Sequence, residues 1–173
     1  MRPIDTIIME VQSETPLIKT LRLDRSLDPH PGQYAMVWIR GLDEVPMSFS
    51  GPDTITVQSV GEASEALNSL GEGRSIGLRG PLGKGFTLLG ERILIIGGGV
   101  GTAPLAFLGE QAMNAGMEVT SLIGYRCCSD MIFLKRFQRL GKTIVTTDDG
   151  SSGIRGRVAA GLEALGLADY DQI

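Results

Sequence analysis

Arg92-Ile-Leu-Ile-Ile-Gly97-Gly98-Gly99-Val100-Gly101-Thr102-Ala103-Pro104 is an apolar strand that runs into a glycine turn and out into a helical pattern. A strand that feeds a helix in this way leaves the first helical N–H groups unpaired and aimed at the turn. A phosphate there can accept hydrogen bonds from them and feel the positive end of the helix dipole. Gly97, Gly98 and Gly99 let a ligand approach the backbone because no Cβ intervenes. Pro104 fits the first turn of the helix, where it has no N–H to waste. The competing reading is a tight strand-to-helix turn with no ligand, and such a turn needs fewer glycines than these.

The same residues argue against the commonest dinucleotide fingerprint. Gly97-x-Gly99-x-x-Thr102 lacks the third glycine, and the next strand, Glu118 to Gly124, ends at Tyr125-Arg126 without an acidic ribose ligand. Beyond Glu91 the pattern alternates between strand and helix. Ile93 to Ile96 is a strand, Ala103 to Ala115 a helix with Leu105, Leu108 and Ala112 on one stripe, and Val119 to Ile123 a strand. Ser129 is placed to cap a helix running to Leu140, Thr143 to Thr146 reads as a third strand, and Val158 to Leu165 as a third helix. Such alternation builds a parallel sheet. Asp171-Gln172-Ile173 reads as the opening of a fourth strand, so this α/β domain, 89–173, is expected to be incomplete at its C-terminus.

Residues 1–88 have a different texture, of short strands punctuated by turns. Strands are expected at Ile4 to Val11, Leu17 to Leu23, Gln33 to Ile39, Met47 to Ser50, Thr54 to Val60 and Ser75 to Arg79, with one helix from Glu62 to Leu70. Gly51-Pro52-Asp53 is a turn between the fourth and fifth. Six strands in so short a segment predict a small closed barrel, which leaves no open sheet edge.

Composition narrows the function. Hydrophobic residues make up 42% and charged residues 21% of the 173 residues, as in folded proteins, and the net charge of −4 offers no broad basic face for nucleic acid. The sequence has no run of about 18 apolar residues, and its first residues have no apolar signal core, so a cytoplasmic protein is expected. Cys127 and Cys128 are the only cysteines and are adjacent, which makes neither a disulfide framework nor a four-ligand metal site. No metal ligands are assigned. His30, the one histidine, lies in a Pro-His-Pro-Gly turn, and a Ser-His triad has little to build on.

Five segments in order, Pro31-Gly32-Gln33-Tyr34, Pro46-Met47-Ser48, Gly80-Pro81-Leu82-Gly83-Lys84-Gly85-Phe86, Gly97 to Leu105 and Asp149-Gly150-Ser151, resemble the ferredoxin-NAD(P) reductase superfamily across the chain. Within it they are most similar to one branch, the electron-transfer subunits of NAD-dependent dihydroorotate dehydrogenase B, an enzyme of pyrimidine biosynthesis. Subunits of sulfide dehydrogenases, hydrogenases and glutamate synthases look alike. The resemblance implies FAD gripped by the barrel, NADH (or NADPH) presented by the α/β domain, and electrons passed on to a partner flavoenzyme in a hetero-oligomer. It implies a 2Fe-2S cluster only in a C-terminal segment that this chain does not contain.

The resemblance also assigns residues. Ser48 is the catalytic candidate, its hydroxyl near flavin N5, with Val45, Pro46 and Met47 beside it, Thr56, Val57 and Gln58 at the flavin edge, and Gly61, Ala63 and Ser64 at a helix start facing phosphate. Gly80 and Gly83 bring backbone to the cofactor, or serve as a linker between domains. Gly98, Gly99, Gly101, Thr102, Pro104 and Asp149 line the nicotinamide nucleotide site, Asp149 with a helix-capping loop as its alternative. Arg126 is placed where a 2′-phosphate is met in NADPH, or is a surface arginine. Val45 departs from the family, which carries arginine there against the pyrophosphate; a charge-assisted bond of this kind is worth about 1.5–3 kcal/mol. The Ser64 hydroxyl, Arg40 and Arg79 are the expected substitutes. The departure also keeps open a nucleotide-binding redox sensor without turnover.

Overall fold

The computed structural model describes residues 2–173, which form two compact units divided between Phe86 and Thr87. In the first unit β1 (Ile4–Thr15), β2 (Ile18–Leu23), β3 (Tyr34–Trp38), β4 (Glu44–Gly51), β5 (Thr54–Gln58) and β6 (Ser75–Leu82) close a barrel in the order β1-β2-β5-β4-β3-β6. Closure depends on β1, which is longer than its apolar pattern announced. Its first residues pair with β6 from Ile4↔Leu78 to Ile7↔Ser75, and after Ile8 it pairs with β2. A bulge between Ile8 and Glu10 turns it from one neighbour to the other. Ile8, Leu21, Ala35, Val37, Phe49, Ile55, Val57 and Leu78 fill the interior at 0–1% exposure. The helix α1 (Glu62–Ser69) packs against β5 and β4 and buries Leu67.

β4 is shared in the same manner, but incompletely. Its first five residues pair with β3, from Trp38↔Glu44 to Tyr34↔Ser48, whereas its ladder with β5 has only Phe49↔Ile55 and Gly51↔Thr54. The seam between β4 and β5 therefore opens over Glu44–Ser48. The Phe49 N–H donates to the Gln33 carbonyl, so by strand alternation the N–H groups of Met47 and Val45 also point toward β3 and those of Ser48 and Glu44 toward the open seam. Pro46, which has no N–H, falls on the seam side, where no ladder bond is lost.

The Gly80–Phe86 stretch is only partly a linker. Gly80-Pro81-Leu82 completes β6, with Leu82 opposite Tyr34 and a bulge at Gly80-Pro81. Pro81 follows a cis peptide bond. Gly80 lies so close to β3 that a Cβ would stand 3.1 Å from the Tyr34 carbonyl oxygen, and Gly83 takes φ +80° against the Tyr34 ring.

The second unit is a parallel sheet ordered β10-β9-β8-β7: β7 (Arg92–Gly98), β8 (Glu118–Tyr125), β9 (Gly141–Thr147) and the two-residue β10 (Ile154–Arg155). α2 (Thr102–Asn114) packs on β7 and β8 and α3 (Leu134–Leu140) on β9. α2 buries Ala103, Ala106, Phe107, Leu108 and Ala112, while Leu105 is only half-buried and lies over Gly97. On the other side of β7, Ile93 bridges Gln172 in parallel. The chain thus leaves β7 toward β8 and returns on the opposite edge, which makes the carboxyl end of β7 a topological switch point.

Two expected helices are different. Ser129 does not start a helix: Cys128–Asp130 is a 3-10 turn, Met131 is extended, and α3 begins only after Phe133, at φ +59°. Val158–Ala164 is a 3-10 segment instead of an α-helix. It runs so close to the sheet that a Cβ on Gly161 would stand within clash distance of Leu122, and four-residue hydrogen bonding gives way to the tighter winding.

Candidate functional site

The glycine turn sits at the switch point. Gly98, Gly99 and Gly101 are exposed, and a Cβ on Gly99 or Gly101 would meet nothing within 4 Å. Gly99 needs glycine for its φ of +53°. Gly101 has no such need: it caps α2 at an ordinary φ of −62°. Packing explains Gly97, whose Cβ would collide with Leu105; it does not explain Gly101. A glycine with neither a conformational nor a packing demand, at the mouth of a helix N-terminus, leaves room for something outside the fold.

The other nucleotide candidates divide into exposed and buried. Pro104 is half-buried in the first turn of α2. Thr102 is fully buried and turned inward, donating to the Gly99 carbonyl at 2.8 Å, so its hydroxyl faces away from the open side of the turn. Asp149 is exposed after β9. Its Oδ1 accepts the Ser151 hydroxyl at 2.6 Å and the Ser151 N–H at 2.9 Å. Those bonds, the hydroxyl first, hold the carboxyl below the usual carboxylate range. The Ser151 hydroxyl also accepts the Cys128 N–H at 2.8 Å, and the Asp149 N–H donates to the Arg126 carbonyl. The loops after β8 and β9 are thereby tied together beside the glycine turn. Ser151 belongs to the Asp149-Gly150-Ser151 segment that carries part of the family resemblance. Tyr125 and Cys128 are the participants that sequence reasoning left without a role, and Tyr125 was detectable as the phenol that ends a buried strand.

On the barrel the candidates lie around the open seam and on two faces of β4. Ser48 and Pro46 are exposed on the outside, in register with Tyr34 and Met36. Val45 and Met47 face the other way, opposite the buried Val37 and Ala35, and are half-exposed because β5 has diverged. Val57 is fully buried. Thr56 is 7% exposed, and its hydroxyl donates to Ser50 at 2.8 Å and contacts Thr20 at 3.0 Å. Neither side chain is open to a ligand, and since the Ser59 N–H donates to the Leu17 carbonyl, the main chain of Val57 also points toward β2 and that of Thr56 toward the seam. Gln58 is half-buried at the end of β5.

The expected replacements for an arginine at Val45 are already engaged. The Ser64 hydroxyl accepts the N–H groups of Val60 at 2.9 Å and Gly61 at 3.0 Å and donates to the Gly61 carbonyl at 2.8 Å. It caps its own loop, which leaves main-chain N–H groups near Gly61 and Ala63 for an anion, with Glu62 and Glu65 in the same turn. Gly61 resembles Gly101: it caps its helix at an extended φ of −176° and a Cβ would meet nothing within 4 Å. Arg40 pairs with Asp5 at 3.4 Å. Arg79 pairs with Glu44 through two nitrogens, across β3, and this guanidinium lowers the Glu44 pKa.

No helix among the described residues is long and apolar enough to cross a membrane. No protein-family model matches the chain. A Methanocella arvoryzae protein named "Probable dihydroorotate dehydrogenase B (NAD(+)), electron transfer subunit" is 51% identical over 175 residues, covering 100% of this chain and 68% of that protein. Proteins of the same name are 38% identical in Methanocaldococcus jannaschii, covering 90% of this chain and 60% of that protein, and 37% identical in Archaeoglobus fulgidus, covering 97% and 71%. The chain thus spans 60–71% of the length of these relatives. Among solved structures, a NADH-dependent reduced ferredoxin-NADP oxidoreductase superposes with a TM-score of 0.84 at 24% identity, over 92% of this chain and 62% of the other. The flavohem-like FAD/NAD binding domain of nitric oxide dioxygenase from Vibrio cholerae superposes with 0.81 at 21% identity, over 98% and 82%. The fold is that of the ferredoxin reductases, and by its sequence the chain belongs to the family of dihydroorotate dehydrogenase B (NAD(+)) electron transfer subunits.

Proposed function

We propose that this chain takes electrons from NADH onto FAD and delivers them to a catalytic dihydroorotate dehydrogenase subunit, in pyrimidine biosynthesis. The barrel unit is the FAD-binding domain and the α/β unit the NAD-binding domain. The observation that carries the reading is the glycine turn Gly98–Gly101, open-faced at the switch point, in a chain 51% identical to a named NAD(+) electron transfer subunit. A 2Fe-2S cluster, with its cysteines in a further C-terminal segment, completes the route to the partner.

The residues present fit both nucleotides. Gly101 and Gly61 each leave space at a helix N-terminus that no packing claims, and helix N-termini favour phosphate groups. Ser48, Pro46 and Met47 flank the open seam at the flavin, where the Ser48 N–H and hydroxyl are donors without a ladder partner in β5. Gly80 and Gly83 shape the adjoining end of β6. Thr56 and Gln58 offer main-chain groups on the far side of the seam, while Val57 between them packs inward and pairs with β2. In place of the family arginine, Val45 makes no charged contact, so the diphosphate rests on main-chain donors of α1. When bound, the flavin accepts a hydride and gives up single electrons; the protein's part is to hold the ring and exclude water. At the second site Asp149, its pKa lowered by its bonds to Ser151, accepts hydrogen bonds from ribose hydroxyls.

The test is direct. The purified chain, loaded with FAD and desalted, should retain flavin absorbance, and anaerobic NADH should bleach it. A chain that retains nucleotide but no flavin supports the redox sensor, the reading favoured by Val45. A chain that retains neither overturns both.

A further inference from the structure

The glycine turn is held from behind by buried side chains. Thr102, the first residue of α2, is 0% exposed. Its hydroxyl donates to the Gly99 carbonyl at 2.8 Å and lies 3.2 Å from the Tyr125 phenol oxygen. Tyr125, the last residue of β8, is 5% exposed and donates to the Ile132 carbonyl at 2.7 Å. With the phenol proton spent on Ile132, the Thr102 proton is shared between Gly99 and Tyr125. Burial raises the Tyr125 pKa, so the phenol stays neutral and keeps that proton.

The chain of contacts continues. Ile132 leads into Phe133, whose φ of +59° is in the left-handed region that non-glycine residues adopt at a cost. The Phe133 ring carries the Arg136 guanidinium 4.7 Å from its centre, and Arg136 pairs with Glu110 of α2 at 2.9 Å. The contacts form a closed circuit from the N-terminus of α2 through β8 and α3 back to the middle of α2.

This circuit fixes which way a peptide points. Gly99, at φ +53° with open space where a Cβ would stand, carries no side chain to hold it, and its carbonyl accepts from Thr102 twice, through the main-chain N–H and through the hydroxyl. If its carbonyl swung to the open side, it would set a lone pair against an approaching phosphate. The hydroxyl bond from Thr102 reinforces the main-chain one, keeps that oxygen on the protein side and leaves N–H groups outermost.

We propose that Thr102 and Tyr125 are positioning residues for the diphosphate of a dinucleotide, acting through the Gly99 carbonyl without touching the ligand. The proposal rests on the nucleotide reading above and goes beyond it, since it moves Thr102 from the ligand's contact shell to its support and adds Tyr125. The probes are ADP-ribose, which carries the diphosphate, and adenosine, which does not, titrated calorimetrically into the FAD-loaded full chain. Thr102→Val and Tyr125→Phe should each weaken ADP-ribose about fivefold, the usual worth of one neutral hydrogen bond. Adenosine binding should be unchanged, and Thr102→Ser should restore ADP-ribose to its original affinity. Equal ADP-ribose affinity in all variants overturns the proposal, as does a parallel loss of both probes, which assigns the two residues to general packing. An unmodified chain that binds neither probe removes the nucleotide reading itself.

Discussion

At the scale of single residues, hydroxyl groups of similar appearance do different work. Ser48 is exposed, Ser64 caps a loop, and Thr56 and Thr102 are buried in hydrogen bonds. Removing the cap with Ser64→Ala should cost about 1 kcal/mol, measured as a shift of the urea midpoint with no change in slope. Gly101→Ala should do the reverse: its Cβ meets nothing, so the melting temperature should hold, while NADH affinity of the loaded chain falls roughly tenfold, about 1.4 kcal/mol. A melting temperature lowered along with the affinity would mean that Gly101 serves the fold. The sequence made the glycine turn legible because phosphate cradles and helix starts are local patterns. It left the fate of Arg79 illegible, because its partner Glu44 lies 35 residues away and meets it only across β3.

At the scale of elements, the strands were readable wherever one face was buried, as in Tyr34–Trp38, where Ala35 and Val37 face the core and their neighbours are half-exposed. Alternation failed at the ends, where pairing outlasts burial: β1 runs to Thr15 on β2 alone. The start of α3 was misread because Ser129 carries the usual capping signal, but Tyr125 captures the Ile132 carbonyl and the helix waits for Phe133. The returning segment is tied to β7 by main-chain bonds of Asp171 and Gln172 with Arg92 and Leu94 and by the Asp171 carboxylate, whose Oδ2 accepts the N–H groups of Glu91 and Arg92 at 2.9 Å each. These bonds, Glu91 first, lower its pKa from the ordinary 3.8. A depressed carboxyl stabilises the fold above its unfolded pKa and loses that contribution as pH falls through the lower folded value. Asp171→Asn should therefore be less stable than the unmodified chain at neutral pH, with the gap closing below about pH 3.8 in acid titrations followed by circular dichroism. A gap independent of pH would show that shape, not charge, matters there.

At the scale of the whole molecule, two compact units, a barrel and a parallel sheet, each present a helix N-terminus with an unclaimed glycine. If both receive nucleotide, each ligand should stabilise the chain by mass action, FAD at a hundred times its Kd by about 2.7 kcal/mol. Thermal melts with FAD and with ADP-ribose, separately and together, check this; no shift with FAD would remove the barrel as its site. The unzipped seam of the barrel has its own signature. Along Glu44–Ser48 the amides of Val45 and Met47 point into the β3 ladder and those of Glu44 and Ser48 out of it. Deuterium should therefore enter this strand in an odd-even rhythm, fast at Glu44 and Ser48 and slow at Val45 and Met47, and a flavin seated on the seam should slow the fast beat at Ser48.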